Sequence, residues 1–512
     1  MEEFKKVQRK LRLNKKLANF NYRGERTFVV LSGLNHSNRN LKTIKGLPFY
    51  EERMLFFLFL LRYKRTKIVY ITSKGFNKKL FDYYLDLISD DEKDFLEKKK
   101  RLTHIEVDDK RPVALAQKML DDSQSIGQVV NSIIDHKTAL LRCYNPTNLE
   151  RSLAVKLNVP LFASEEKHDF VGSKSGGRKV FKLSGANLIP GYSYLKNSDE
   201  LFSAIANLAK KYPETKKMMV KINYAASGQG NCIFRLDDFI KKTEVTITKI
   251  SASSLSELIN KNFNNYADFE IKGLAAAKYL QMFESKGGIA ELFISGKTKC
   301  SPSVQISINA EGKPTILSTH EQILGGQDKQ KYLGCTFPSL TSHRKLIIRE
   351  GNKIAEWMAK KGIIGNFAID FVVVHPEGSK NPIVYPIEIN LRKGGTTHPF
   401  RIAFFLTGAK YNKNRGILHC GKIPIHYLSM DIIESEKYKE IKPMKLIELV
   451  HNSKISFNKN TKKGALVYMP GMVSQYGRFG AICIGHSDSE AKRIYNKMIK
   501  LIEANIDLLK RK

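Results

Sequence analysis

Cysteine is scarce in this chain and never closely spaced. The six cysteines, Cys143, Cys232, Cys300, Cys335, Cys420 and Cys483, are too scattered for a CxxC zinc half-site or a disulfide framework. Free thiols in a reducing cytoplasm are the default. Long apolar runs are also missing. The longest, Met54 to Leu61, falls well short of the roughly 20 residues that cross a bilayer, and it reads as a core helix. The opening Met1-Glu2-Glu3-Phe4-Lys5-Lys6 has no hydrophobic signal region, so export is not expected. There is no internal repeat. These absences argue against a secreted disulfide scaffold, a helical membrane protein and a solenoid.

Acid is short relative to base: 86 Lys and Arg face 50 Asp and Glu, a formal charge of +36. Clustered cations would indicate nucleic acid or anionic lipid, but these are spread from end to end, with only short runs such as Lys98-Lys99-Lys100-Arg101. Nucleic acid and membrane are therefore not the expected partners. Diffuse charge can still speed the encounter with anionic substrates. With 512 residues, two to four domains with buried cores are expected.

The first third alternates strands and helices. Thr27 to Leu31 reads as a strand entering Ser32-Gly33-Leu34-Asn35-His36, with His36 structural or at a pocket rim. Glu51 to Tyr63 reads as helix, Lys67 to Thr72 as strand, and Lys78 to Ile88 as a helix with Phe81, Tyr84, Leu85 and Ile88 on one face. Thr138 to Cys143 is a further strand. Thr147-x-x-Glu150 predicts a capping box opening a helix to Leu157. Such alternation implies a small parallel sheet.

The most informative stretch is Pro386-Ile387-Glu388-Ile389-Asn390-Leu391-Arg392-Lys393-Gly394-Gly395-Thr396-Thr397-His398-Pro399. Alternation places Glu388, Asn390 and Arg392 on one strand face. A carboxylate and an amide oxygen there supply hard ligands for Mg²⁺, and an arginine can clamp phosphate or carboxylate oxygens. A solvated edge strand would show the same pattern. Upstream, Gly365 to Val374 carries Asp370 in an otherwise apolar strand, where an unpaired carboxylate would be costly and a metal or cation is expected.

Lys221 lies in a strand, Met218 to Asn223, that runs into Ala225-Ala226-Ser227-Gly228-Gln229-Gly230-Asn231 and then a second strand, Cys232 to Leu236. A glycine-rich tip lets backbone N–H groups approach phosphates, although an ordinary hairpin turn looks the same. No helix opens directly after it, which argues against a P-loop or a dinucleotide fingerprint. Earlier, Gly172 to Phe181 reads as a loop entering a helix, with Lys174 at its mouth.

The order of these pieces (loop lysine, strand lysine with glycine-rich hairpin, Gly288 to Ile294, strand aspartate, Glu-x-Asn-x-Arg) resembles the ATP-grasp superfamily. More narrowly, the GSKSGGRKVF, VKIN…SGQGN, SPSVQ, STHEQILGG, GCTFP and EINLRKGGTTHPF segments are similar to the pheganomycin-type peptide ligases. Gly46 to Arg53 and Ile68 to Ser73 share in the likeness. The resemblance implies mixed α/β and α+β architecture. It divides the chain into a basic segment at 1–23, a Rossmann-like pre-ATP-grasp domain at 24–170, a small ATP-grasp subdomain with linker at 171–290, a catalytic subdomain at 291–420, and a C-terminal α+β extension at 421–512.

The same resemblance implies ATP-dependent carboxylate-amine ligation through an acyl phosphate, with ATP and Mg²⁺ or Mn²⁺ as cofactors and amino-acid or peptide substrates. A nucleotide-binding kinase or regulator without ligation is the alternative, a basic nucleic-acid-binding protein a more remote one, and a homo-oligomer is left open. By this likeness Asp370, Glu388 and Asn390 hold metal, Lys174 and Lys221 contact phosphates, and Ser227, Gly228, Gln229 and Gly230 cover the β/γ region. Glu291, Leu292 and Phe293 meet adenine or ribose, and Arg392 stabilises the transferring phosphoryl group. Ser318, Thr319, His320, Glu321 and Gln322, with Gly394, Gly395, Thr396, Thr397 and His398, shape the substrate pockets. Ala368 stands where some such ligases carry a further arginine, which puts more weight on Arg392. Tyr468 to Met472 departs from the family's histidine-containing loop.

Beyond Pro399, residues 401 to 420 read as one helix with a loop. Strands are expected around Gly464 to Tyr468 and Gly480 to Ile484, and a final amphipathic helix over Ser489 to Leu509.

Overall fold

In the computed structural model, which describes residues 2–35, 38–225, 228–296, 298–325, 331–376 and 381–511, the described strands gather into three sheets. The first is parallel, in the order Leu102–Val107, Thr66–Ser73, Arg26–Leu31, Ala139–Cys143. Arg26–Leu31 is buried along its whole length, as in a sheet packed on both faces. The apolar run Met54 to Leu61 is the inside of a helical segment, Leu47–Arg62, wound with 3₁₀ geometry. Every residue of that run is buried, which is why its sequence shows no amphipathic stripe. Helix Asn148–Lys156 opens with the expected capping box between Thr147 and Glu150.

The second sheet is antiparallel, in the order Gly191–Leu195, Gly288–Leu292, Lys217–Ile222, Asn231–Arg235, Ala267–Phe269. Helices Ser198–Lys211, Ala252–Tyr266 and Ala276–Lys286 close a separate core over it, built on Phe202, Phe234, Phe263, Tyr279 and Phe283. Such a self-contained core lets the unit act as one body.

The third sheet is the largest and is also antiparallel. At its centre Gly365–His375 pairs with Ile383–Asn390 on one side and with Pro302–Ile308 and Thr298–Cys300 on the other. It continues through Pro314–Gly325 and Lys331–Phe337 into Ile423–Glu434, which pairs in turn with Arg478–Gly485. The chain after residue 420 thus extends the large sheet. One core links Phe57 and Phe59 of the first unit with Phe400, Tyr427 and Phe479.

Residues 401 to 420 differ in detail from the expected helix with a loop. The helix runs earlier, Thr397–Thr407, and stops where Gly408 takes a left-handed φ of 66°. Lys410–Asn412 and Ile417–Cys420 then form a hairpin whose turn places Gly416 at φ 65°. The C-terminal helix is broken at Asn505 into Asp488–Ala504 and Ile506–Lys510. No described helix is long and apolar enough to cross a membrane.

Candidate active site

Register creates the centre of the site. Antiparallel pairing sets Ala368 against Asn390, Ile369 against Ile389 and Asp370 against Glu388, so the isoleucines enter the core while Asp370, Glu388 and Asn390 share the opposite face. Asp370 accepts from Asn390 Nδ2 at 2.9 Å and from Gln322 Nε2, on strand Pro314–Gly325, at 2.7 Å. Burial, and then Glu388 facing it, push the Asp370 carboxyl up to about 7. Burial would raise Glu388 as well. It is held below its ordinary value by Lys174, with Arg392 adding to the effect.

Lys174 Nζ lies 2.5 Å from Glu388 Oε1. It is the first residue of helix Lys174–Leu183, whose start is capped by Ser173 Oγ, accepting from Gly176 N at 2.9 Å. Only glycine fits at 176, because a Cβ would sit 1.9 Å from the Phe170 carbonyl oxygen. Asn223, just past strand Lys217–Ile222, accepts from the Lys174 and Ser175 amides and ties this helix start to the small sheet. The strand ends at Asn390, so Arg392 sits in the bend beyond it, near both carboxylates.

A second ionic centre crosses the small sheet. Glu291, 4% exposed, is held between Lys221 Nζ at 2.7 Å and Arg178 Nη1 at 2.5 Å. Arg178 also donates to Ser193 Oγ at 3.0 Å and to the Ile189 carbonyl at 2.9 Å. Burial opposes ionisation of Glu291, but the two cations outweigh it and hold its carboxyl low. In the hairpin, Gly228 is left-handed at φ 77° and its carbonyl accepts from Asn231 N, while Gly230 O accepts from Tyr279 Oη at 2.9 Å. Gln229 lies in the same turn. Ser227 lies outside the described residues. Leu292 ends its strand and Phe293 follows, with the Lys299 ammonium 4.5 Å over the Phe293 ring.

The residues expected at substrate pockets are dispersed. Gly394 N donates to Thr397 Oγ1, and Gly395 faces the Tyr332 ring so closely that a Cβ would come within 2.5 Å. Thr396 is buried. His398 is buried too, edge-on to Tyr468 and 3.2 Å from Asp431, which also takes Arg53 at 2.9 Å and Tyr468 Oη at 2.6 Å. His320 is inaccessible, 2.7 Å from Tyr427 Oη among Phe337 and Phe400, and burial lowers it to about 3. Glu321 meets His343 at 2.5 Å. The structure therefore places His320 on the sheet face of Asp370 but sealed under Phe337, Phe400 and Tyr427, and Glu321 on the opposite face against helix Thr341–Lys360.

Arg178 was missed as a site residue. Arg178 stands four residues after Lys174, a spacing that puts both on one side of a helix and could have drawn attention to it. Gln322, expected only at a substrate pocket, instead supports Asp370 from 48 residues away.

The donor set of Asp370, Glu388, Asn390 and Gln322 is all oxygen when the amides turn their carbonyls inward, which suits a hard cation such as Mg²⁺. Among the described residues no group of three or more His, Cys, Asp or Glu gathers around a metal-sized site, so a cation here would rest on two carboxylates plus amides. Lys174, on a helix packed against the large sheet, and Lys221, on the small sheet, both act on the Glu388 carboxylate, an arrangement suited to a metal-bound polyphosphate.

Residues 166–414, which span the small sheet and the centre of the large one, match a family model described as IQCH-like, ATP-grasp. In fold, the chain is similar to an ADP complex of N5-carboxyaminoimidazole ribonucleotide synthetase, with a TM-score of 0.51 at 11% identity over 94% of this chain and 97% of that one. Residues 166–414 thus match an ATP-grasp domain. A biotin carboxylase from Campylobacter jejuni with a β-γ-ATP ligand gives a TM-score of 0.52 at 13% identity, covering 96% of each chain. By sequence, the chain is 25% identical over 459 residues to L-propargylglycine–L-glutamate ligase of Streptantibioticus cattleyicolor, covering 88% of this chain and 89% of that enzyme.

Proposed function

We propose that this ATP-grasp protein is a cytoplasmic carboxylate-amine ligase, joining an amino-acid or peptide carboxylate to an amine with release of ADP and phosphate. One observation carries the reading: Lys174, at the start of helix Lys174–Leu183, meets the Asp370–Glu388 face, so phosphate-binding cations and metal-binding oxygens converge. A relative of nearly the same length is named as a ligase of two amino acids.

Asp370, Glu388 and Asn390 would hold Mg²⁺, which when bound neutralises phosphate charge. Lys174 and Lys221 contact the phosphates, with the turn Gly228–Gly230 beside them, and Leu292 and Phe293 border the base and ribose. Arg392 faces the oxygens of the transferring phosphoryl group. Glu291 orients Lys221. A substrate carboxylate oxygen attacks the γ-phosphorus, the bond to ADP breaks, and the acyl phosphate so formed is attacked by the amine nitrogen. The C–O bond to phosphate then breaks and the amine proton leaves to solvent. Catalysis rests on positioning and charge neutralisation, and no protein nucleophile is needed.

Substrate carboxylate labelled with ¹⁸O tests this route. One label should pass into inorganic phosphate only when carboxylate and amine are both present. Amide formed without labelled phosphate, or with AMP as product, would leave adenylation as the chemistry. Nucleotide hydrolysis indifferent to amine would favour a kinase or regulator built on the same site.

A further inference from the structure

Three cations meet behind the catalytic turn without an acidic partner. Arg142, on edge strand Ala139–Cys143, is 1% exposed, and among the described residues none of its guanidinium nitrogens has a hydrogen-bond partner. Its guanidinium packs instead among Phe20, Phe28, Phe57 and Phe162, closest to Phe162 at 4.5 Å. Arg401, from helix Thr397–Thr407, lies 4.1 Å over the Phe20 ring and makes no hydrogen bond or ion pair among the described residues. Lys393, next to Arg392, donates its ammonium to the Cys143 carbonyl. The three feel one another: burial first, then Arg401, lowers Arg142, while burial, then Arg142 and Arg401, lower Lys393 to about 7.

Aromatic faces attract a guanidinium, but they leave its in-plane N–H donors unmet, and arginine does not escape by losing its proton. Unpaired charge in the interior is costly, so such a cluster calls for an anion. Arg142 is sealed, whereas Arg401 and Lys393 keep 7% and 6% of their surface, so contact falls to those two. Position agrees: in an open parallel sheet, ligands bind beyond the carboxyl ends of strands where the strand order reverses. Here that point lies between Arg26–Leu31 and Ala139–Cys143, and Cys143 and Tyr144 receive the Lys393 side chain and amide there.

We propose that Arg401 and Lys393, backed by Arg142, bind a small oxyanion, a carboxylate or inorganic phosphate, between the parallel sheet and helix Thr397–Thr407. A forked guanidinium favours a planar or tetrahedral oxyanion over a halide. The site is separate from the carboxylate face, since Lys393 points to the parallel sheet while Lys174 serves Glu388. Occupancy would steady the turn that carries Arg392. The inference stands independently of the ligase reading.

Thermal unfolding of the full nucleotide-free chain tests it, with sodium phosphate or sodium acetate titrated against sodium chloride at constant ionic strength. The midpoint should rise by several degrees and saturate. Saturation with phosphate alone identifies a tetrahedral anion; saturation with acetate as well identifies a general carboxylate site. Arg401→Gln should abolish the rise, and in chloride alone it should match or exceed wild type, because an unpaired buried charge has been removed. Lys393→Met should weaken the apparent anion affinity at least tenfold and serves if the first variant does not fold. Lys174→Met should keep the rise, separating this site from the nucleotide cleft. No saturable rise beyond chloride, or an equal rise in both Arg401→Gln and Lys393→Met, would overturn the site.

Discussion

Lys174, at the start of helix Lys174–Leu183, and Glu388, on strand Ile383–Asn390 of the large sheet, form a 2.5 Å ion pair. The ammonium occupies a carboxylate oxygen that a divalent cation would use, so cation entry and release of Lys174 toward phosphate become one exchange. Charge is conserved at Glu388 throughout, which keeps a buried carboxylate from being left alone.

Glu388→Gln removes the negative end of that exchange with little change of volume. Turnover with Mg²⁺ and ATP is expected to fall by about 10²-fold or more, on the scale of losing one electrostatic contact at a reacting centre. Asn390→Ala should also depress turnover, and both should unfold within a few degrees of wild type. Phosphate release and thermal unfolding measure the two quantities, and normal turnover in either variant would remove that residue from the metal set.

Glu291 has two cationic partners, so Lys221→Met leaves Arg178 in place. ATP affinity should weaken by about 1–3 kcal/mol, the scale of a charge-assisted hydrogen bond. Losing both partners strands a buried carboxylate, so Lys221→Met with Arg178→Met should cost more stability than the two singles added together. Calorimetry and denaturant unfolding read these effects. Additive losses would mean that Glu291 is not shared.

Arg392→Lys keeps a positive charge and loses the bidentate fork. If Arg392 steadies the transferring phosphoryl group, kcat should drop much more than ATP affinity. An equal loss in both would place it in ground-state binding.

Asp431 gives a pH dependence whose sign is fixed. Burial would raise its carboxyl, but His398 and Arg53 outweigh burial and lower it to about 2. Burial holds His398 below its ordinary value, so Arg53 is the cation facing Asp431 at neutral pH. A lowered carboxylate contributes stability above its unfolded pKa, near 3.9, and loses it as pH falls toward 2. Asp431→Asn should therefore destabilise at pH 7 by about 3–5 kcal/mol, the scale of breaking a buried pair. The gap to wild type should close as pH drops from 4 to 2 in urea unfolding. A gap independent of pH would mean that lost packing, not charge, sets the cost.

Local rules wrote much of this protein directly into its sequence. Alternation over Glu388 and Asn390, the isolated aspartate at 370, the glycine-rich hairpin after Lys221 and the Thr147–Glu150 cap depend on neighbours a few residues apart, so period and spacing expose them. The ATP-grasp order of these pieces is equally a property of the chain as written. Partners were another matter. That Lys174 would find Glu388, that Arg178 would share Glu291 with Lys221, and that Gln322 would support Asp370 depend on contacts spanning tens to hundreds of residues, which no local pattern encodes. His320 looked as available as any histidine beside a glutamate. Only the packing of Phe337, Phe400 and Tyr427 around it decided that it would lie in the core, because burial is settled by what other segments bring to a strand face and not by the strand itself.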